Sequence, residues 1–194
     1  MKANRIYVVR HGEASGNHPE APLSNFGIQQ SIQVAAFLAQ EHGSDVIRII
    51  SSPLLRARQT ADEICRAFDG VSCETDVKLK ELNLGNTTDY PGDIWNHLQK
   101  LFEHKEFAFP GGDSVSQVAN QVRSLLNELN ESDDGKSVIL VTHRVTMTLL
   151  LSEFNQEMGL EQCKTMNNVD VYLVTAVNNG SQVERIWRMP SNER

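Results

Sequence analysis

An arginine and a histidine stand side by side at Arg10-His11, followed by Gly12 and Glu13, directly after the apolar run Ile6-Tyr7-Val8-Val9. A β-branched and aromatic run this short reads as a strand buried on both faces. Chain leaving such a strand at its carboxyl end enters the crevice where open α/β sheets bind ligands. A guanidinium and an imidazole placed there suit an anion, and Gly12 lets backbone approach it closely or turn with positive φ. Four residues alone are also compatible with a charged loop that happens to follow a strand.

Recurrence separates the two readings. Val46-Ile47-Arg48-Ile49-Ile50 is a second strand-like run. Ser51-Ser52-Pro53 after it reads as a helix start, which places Arg56 and Arg58 in the first two turns. Val138-Ile139-Leu140-Val141 is a third such run, followed by Thr142-His143. Three buried strands thus each deliver a basic or imidazole side chain at the same end. As parallel neighbours they bring Arg10, His11, Arg56 and His143 to one pocket.

The blocks around these residues resemble the histidine phosphatase superfamily, which includes cofactor-dependent phosphoglycerate mutases and small phosphomonoesterases. Arg10-His11-Gly12-Glu13 with Asn17 is similar to its signature. Leu23-Ser24, Gly27 and Gln30 match the next block, with Ser where Thr is usual. Ser52-Pro53-Leu54, Arg56-Ala57 and Gln59-Thr60-Ala61 match another closely. Leu79, Glu81 and Gly85 resemble a third, Pro110-Gly111-Gly112-Asp113-Ser114 a fourth with Asp where Glu is usual, and Val141-Thr142-His143 the last. The order of the family's blocks is kept from residue 10 to residue 143.

The resemblance implies a three-layer α/β/α fold with a mostly parallel, mixed central sheet, and a phosphohistidine formed on His11. It assigns Arg10, Arg56 and His143 to phosphate binding, where Asn17 adds a neutral donor, and makes His11, Glu81 and His143 the catalytic residues, with Glu81 as general acid and then general base. The chemistry agrees. A neutral imidazole attacks phosphorus without first ionising, and guanidinium forks match phosphate oxygens. A carboxyl beside a bound phosphate has its pKa raised, which suits an acid. Asp89 and Asp93 are alternative acids. No metal and no cofactor are required, because arginines supply the positive charge. Glu13 is read as orienting its neighbours and Arg58 as a helix-surface residue. His18, His42, His97 and His104 are read as surface or lid residues, with His97 and His104 within reach of substrate. Arg123 and Lys136 are read as solvated.

Two departures from the family pattern bear on specificity. Arg144 follows His143 where Gly is common, and it either crowds the pocket or points a charge into it. Asn86-Thr87-Thr88 replaces the usual Trp-Glu-Gly after Gly85. The leading function is a metal-independent phosphomonoesterase acting on a small phosphorylated substrate. The alternative is transfer of phosphoglycerate mutase type; such mutases are usually longer, with a basic cluster in the lid, whereas residues 86–112 carry only Lys100 and Lys105. A third reading is an inactive phospho-ligand-binding module, which has no use for both a nucleophile and an acid.

The elements that must position these residues are legible as periodicity. Apolar residues Ile28, Ile32, Ala35, Ala36 and Ala39 mark a helix over 24–42, capped by Ser24 and ended by Gly43. Further helices are read over 54–68, 114–130 and 145–154, the last apolar nearly all round and therefore buried. Runs over 169–177 and 182–187, joined through Asn178-Asn179-Gly180-Ser181, read as a hairpin. Residues 86–112 hold no long periodic element except Ile94 to Phe102 and read as a lid or pocket wall within a single domain spanning residues 1–194.

Bulk properties exclude other classes. At 194 residues the chain has room for one sizeable core, and its formal charge of −7 disfavours nucleic-acid binding. Against that field a cationic pocket is informative. The 3 cysteines are scattered and odd in number, which suits free thiols in a reducing compartment. The start of the chain lacks an apolar leader segment, and no run is long enough to span a bilayer, so a cytoplasmic location with no membrane partner is expected. The sequence is silent on oligomeric state.

Overall fold

The computed structural model describes residues 5–42, 45–68, 70–132, 136–177 and 180–188. Six strands, β1 (Arg5–Arg10), β2 (Val46–Ser51), β3 (Ser72–Thr75), β4 (Ser137–Thr142), β5 (Asp170–Val177) and β6 (Gly180–Arg188), form one sheet in the order β3-β2-β4-β1-β5-β6. β1, β2, β3 and β4 run parallel; β5 and β6 join as antiparallel strands. Arg10 pairs in register with Thr142, and Ser51 with Val141. The carboxyl ends of the three strands read from sequence therefore lie level, side by side.

Among the described residues there are six α-helices, α1 (Asn25–His42), α2 (Leu55–Ala67), α3 (Ile94–Glu103), α4 (Val115–Ser132), α5 (Arg144–Ser152) and α6 (Leu160–Thr165). The period-2 alternation of buried strands decides which layer each residue joins. Tyr7, Val9, Ile49, Ile139 and Val141 pack against Val34, Leu38, Ala57, Ala61 and Ile64 of α1 and α2. Ile6, Val8, Ile50, Val138 and Leu140 pack against Val118, Val122, Leu125 and Leu150 of α4 and α5. Both faces of the central strands are covered, which is why β1 and β4 read as unbroken apolar runs and β2 as one interrupted only by Arg48. This is the mixed three-layer α/β arrangement expected.

Several details differ from expectation. In α1 the buried stripe is Gly27, Ser31, Val34, Ala35 and Leu38, while Ile32 and Ala36 are exposed. The helix is rotated because small residues must face the loop after β1. A Cβ on Gly12 would lie 2.5 Å from the Gly27 carbonyl oxygen and 2.9 Å from Ser31 Oγ. Ser24 does cap this helix, accepting from Gly27 N–H at 3.0 Å. The proposed stop at Gly43 and the turn residues Asn178 and Asn179 lie outside the described residues. Ser51 still belongs to β2, and α2 begins at Leu55, so Arg56 falls in the first turn as expected. β3 and α6 were not apparent from sequence; all four residues of β3 are exposed, so no apolar alternation marks it.

The cysteine reading is corrected. Cys65, near the end of α2, and Cys73, in β3, form a disulfide with Cα atoms 6.5 Å apart, and Cys163 is free and buried. The chain turns back from α2 into the edge strand within a few residues, which brings the two side chains together despite spacing that marks no disulfide frame. The argument from free thiols to a reducing compartment falls with it. Among the described residues, no helix is long and apolar enough to cross a membrane.

Alkylation tests the pairing. Denatured, unreduced protein is expected to show one reactive thiol and reduced protein all 3. Cys73→Ser is expected to lower stability by about 2–3 kcal/mol in denaturant titration, the usual effect of opening a short disulfide loop.

Candidate active site

His11 leaves β1 with its backbone N–H donating to the Thr142 carbonyl at 3.1 Å, so the sheet ladder continues one residue into the loop. Its ring Nδ1 lies 2.6 Å from the Gly12 carbonyl oxygen, an acceptor only. Nδ1 therefore carries the hydrogen, and Nε2 presents a lone pair. Arg56 Nε donates to that Nε2 at 3.2 Å. Both contacts specify the same neutral tautomer. Burial, and after it the charge of Arg10, pulls the His11 pKa down to about 3.

The loop holding His11 is pinned from three sides. Gly12 N–H donates to Thr60 Oγ1 at 3.1 Å, and Glu13 N–H to Gln30 Oε1 at 2.8 Å. Asn168 Nδ2 donates to the His11 carbonyl at 2.9 Å. The Asn168 carbonyl accepts in turn from Gln30 Nε2. Asn168 was not singled out from sequence, since a lone Asn before a strand carries no motif. The Glu13 carboxylate accepts from Ser24 Oγ at 2.8 Å, the orienting part expected of it.

Arg10, His11, Asn17, Arg56, Glu81 and Arg144 line one cavity of about 890 Å³, with Trp95, Leu98 and Ile94 of α3 forming part of its wall. Arg10 is buried and donates through Nη1 to the Met166 carbonyl at 2.9 Å. Arg144 donates through Nη2 to the same oxygen at 3.3 Å, and its guanidinium stacks over Trp95 at 5.3 Å from the ring centre. Arg144 thus points inward, resolving the two orientations left open by sequence. Burial and then Arg144 bring the Arg10 pKa down to about 10, so it stays charged at neutral pH.

His143 is brought to the site but lies behind its surface. It is fully buried, its ring centre 4.9 Å from that of His11 in an edge-to-face arrangement. Its Nε2 is 2.8 Å from Ser52 Oγ, and its Nδ1 has no partner. Burial and then the neighbouring His11 hold its pKa well below the ordinary value. Ser52, read from sequence as a helix start, is instead the residue that orients this ring.

Glu81 reaches the site by capping a helix of another segment. His143 is the N-cap of α5 and makes no side-chain cap of its own. The buried N–H groups of Val145 and Thr146, which have no partner within the helix, donate instead to Glu81 Oε1 at 3.2 and 3.1 Å. Orphan donors at a helix N-terminus favour a carboxylate there. Oε2 receives only a longer contact from Val145 N–H at 3.3 Å. The segment behind Glu81 is locked by glycine. A Cβ on Gly85, at φ +75°, would lie 2.5 Å from Gly112 N, and Asn83 N–H donates to Asp113 Oδ2 at 2.9 Å.

The other candidates lie elsewhere. Asp93 caps α3, accepting from Trp95 and Asn96 N–H, and neither it nor Asp89 lines the cavity. His97 is buried, not surface-exposed, against Phe109, with Nε2 3.1 Å from the Tyr90 carbonyl; His18 and His104 are exposed. The side chain of His42 lies outside the described residues. Arg58 and Lys136 are exposed, while Arg123, half-exposed, pairs with Glu153 at 2.8 Å.

Comparison with known proteins adds an independent line. A model of the histidine phosphatase superfamily (branch 1) matches residues 6–188. "Probable phosphoglycerate mutase GpmB" of Escherichia coli O139:H28 (strain E24377A / ETEC) is 30% identical over 167 residues, covering 76% of this chain and 73% of that protein. The protein of the same name from Shigella boydii serotype 18 gives the same figures, 30% over 167 residues, with 76% and 73% covered. Among solved structures, mycobacterial glucosyl-3-phosphoglycerate phosphatase complexed with VO3 aligns with a TM-score of 0.73 at 23% identity, covering 96% of this chain and 99% of that one. A mutant phosphoserine phosphatase from Entamoeba histolytica, in complex with phosphoserine, aligns with a TM-score of 0.71 at 19% identity, covering 93% and 95%. The structural matches show a shared fold.

The His11 geometry has a consequence for stability. A histidine whose pKa falls from 6.5 unfolded to about 3 folded takes up a proton only on unfolding between those values. Stability is therefore lost as pH falls below 6.5, by about 2 kcal/mol from this group between pH 7 and pH 5. In His11→Gln the drop in unfolding free energy between those pH values, read by urea titration, is expected to be smaller by that amount. An identical drop in variant and parent would show that His11 is protonated in the folded protein.

Proposed function

The chain belongs to the histidine phosphatase superfamily, and on that premise we propose that it is a metal-independent phosphomonoesterase acting through a phosphohistidine at His11. The observation that carries this reading is the state of the His11 ring: Nδ1–H fixed on the Gly12 carbonyl and Nε2 held as an acceptor beside Arg56. A nucleophile so arranged needs no base to activate it.

On substrate binding, Arg56 Nε exchanges His11 Nε2 for a phosphate oxygen. Arg10, Arg56 and Asn17 hold the non-bridging oxygens, with the buried His143 behind them. Nε2 attacks phosphorus opposite the ester oxygen, and the departing alkoxide takes a proton from Glu81 Oε2. The phosphorus–oxygen bond breaks as the phosphorus–nitrogen bond forms. Glu81, now a carboxylate, takes a proton from the water that attacks the phosphohistidine, releasing phosphate and restoring the ring. The guanidinium groups stabilise the charge spread over the equatorial oxygens, a task that elsewhere falls to a metal ion.

A mutase returns the phosphoryl group to substrate and needs a subsite for the rest of the phosphoglycerate. The names of the Escherichia coli and Shigella relatives and the inward charge of Arg144 favour that second reading. The wall favours the first. Lys100 lies over Tyr90 and Phe107, 4.7 and 4.4 Å from their ring centres, and neither it nor Lys105 lines the cavity. The face turned inward is Ile94, Trp95 and Leu98.

Phosphate release from p-nitrophenyl phosphate is expected to persist in chelator and to vanish in His11→Ala. A requirement for divalent metal would overturn the mechanism, and isomerisation of phosphoglycerate stimulated by 2,3-bisphosphoglycerate would establish the mutase. On an alkyl phosphate, Glu81→Gln is expected to cost ~10²–10⁴-fold in kcat, the range for losing a general acid. A loss below about tenfold would remove Glu81 from the acid role.

A further inference from the structure

We infer that the substrate carries a second anionic group close to its phosphate, held by Arg144 and made specific by it. The inference deepens the phosphatase reading and rests on it.

The argument begins with charge. The cavity is lined by four cations, Arg10, Arg56, Lys80 and Arg144, and by two acids, Glu13 and Glu81. Glu13 accepts from Ser24 Oγ, and Glu81 accepts from the N–H groups of Val145 and Thr146. The nearby buried Asp170 does not balance the excess, because Arg185 already holds it through two contacts of 2.9 and 2.5 Å. The lining is thus cationic in a chain whose formal charge is −7; Lys80 is exposed to solvent, and Arg10, Arg56 and Arg144 are the cations held within the recess. Uncompensated charge in a recess is costly, and a further anion on the ligand removes that cost.

Geometry places the excess on Arg144. Arg10 and Arg144 donate to one carbonyl, that of Met166, at 2.9 and 3.3 Å, so two like charges are held side by side. One carbonyl satisfies little of ten guanidinium N–H groups, five on each arginine. The Nε atoms of both are buried without a partner. Arg56, by contrast, is already directed to His11 and to the His18 carbonyl. Arg10 and Arg56 flank the nucleophile, whereas Arg144 is drawn to one side by its stack on Trp95. A planar fork fixed on an aromatic face suits a carboxylate or a second phosphate. The apolar wall of Ile94 and Leu98 offers such a group no competing partner.

Two matched pairs of esters test this: 3-phosphoglycerate against glycerol 3-phosphate, and glycerol 2,3-bisphosphate against glycerol 3-phosphate. Each pair differs in one anionic group, a carboxylate in the first and a phosphate in the second. At least one doubly anionic member is expected to exceed its partner in kcat/KM by at least about tenfold, the worth of a charge-assisted contact. The ratio is expected to fall towards one in Arg144→Gly and Arg144→Gln, and to be partly kept in Arg144→Lys; circular dichroism identifies any variant that fails to fold. The same ratios measured as dissociation constants by calorimetry in the inactive His11→Ala background, with and without the Arg144 substitutions, test the inference without turnover. Failure of every ester to be hydrolysed would sink the phosphatase reading alone. Ratios near one in both assays, or ratios that Arg144→Gln leaves unmoved, would overturn the assignment of Arg144.

Discussion

An imidazole surrounded by guanidinium groups and shut away from water is held in its neutral form. Here that constraint organises the centre of the molecule. Burial and Arg10 bring the His11 pKa to about 3, and the Gly12 carbonyl fixes which nitrogen keeps the hydrogen. The arrangement is stable only if the cations are themselves anchored. Each therefore has a backbone carbonyl: Met166 for Arg10 and Arg144, His18 for Arg56. Carbonyl dipoles hold guanidinium groups in place without neutralising them, so the positive potential survives for a ligand.

The scaffold supplies the second requirement, a common origin for side chains distant in sequence. Parallel pairing in register levels the ends of β1, β2 and β4, so the chain emerges at one height three times. Glu81 comes from outside that set. Its place follows from the unsatisfied N–H groups of α5, which begin immediately after His143. One helix terminus thus fixes the imidazole at its cap and the carboxyl that caps it.

How much of this could be read from residues alone varied with the kind of signal. Buried strands leave continuous β-branched runs, and the three that matter were visible for that reason. The faces of α1 were less visible, because its contact with the first loop is made by Gly27 and Ser31, whose smallness is the signal, and not by the apolar Ile32. β3 lacks a pattern because its residues are exposed. The Cys65–Cys73 pair depends on the path of the chain between α2 and β3, which spacing does not encode. Arg10, His11, Asn17, Arg56 and Glu81 line the cavity as the motifs implied, while His143 stands behind it, in contact with Ser52. Asn168 left no signal, since its part is a hydrogen bond to a carbonyl more than a hundred residues away in the chain.

Hydrolysis and transfer through a phosphohistidine differ in what a pocket must do once that intermediate has formed. Transfer requires the dephosphorylated molecule to remain and turn while water stays excluded. Retention asks for contacts on the part of the substrate remote from phosphorus. The wall formed by Ile94, Trp95 and Leu98 offers hydrophobic surface, and of the other cations lining the cavity Lys80 is exposed while Arg144 stacks on Trp95. A cation in that position binds an anion close to phosphorus and leaves the far end of the substrate without a charged anchor. In the proposed reaction only the phosphoryl group passes to His11, and the second anion stays on the alcohol at Arg144. Turning the alcohol for return transfer breaks that contact, and the wall of Ile94, Trp95 and Leu98 supplies no charge to replace it, which favours release and attack by water.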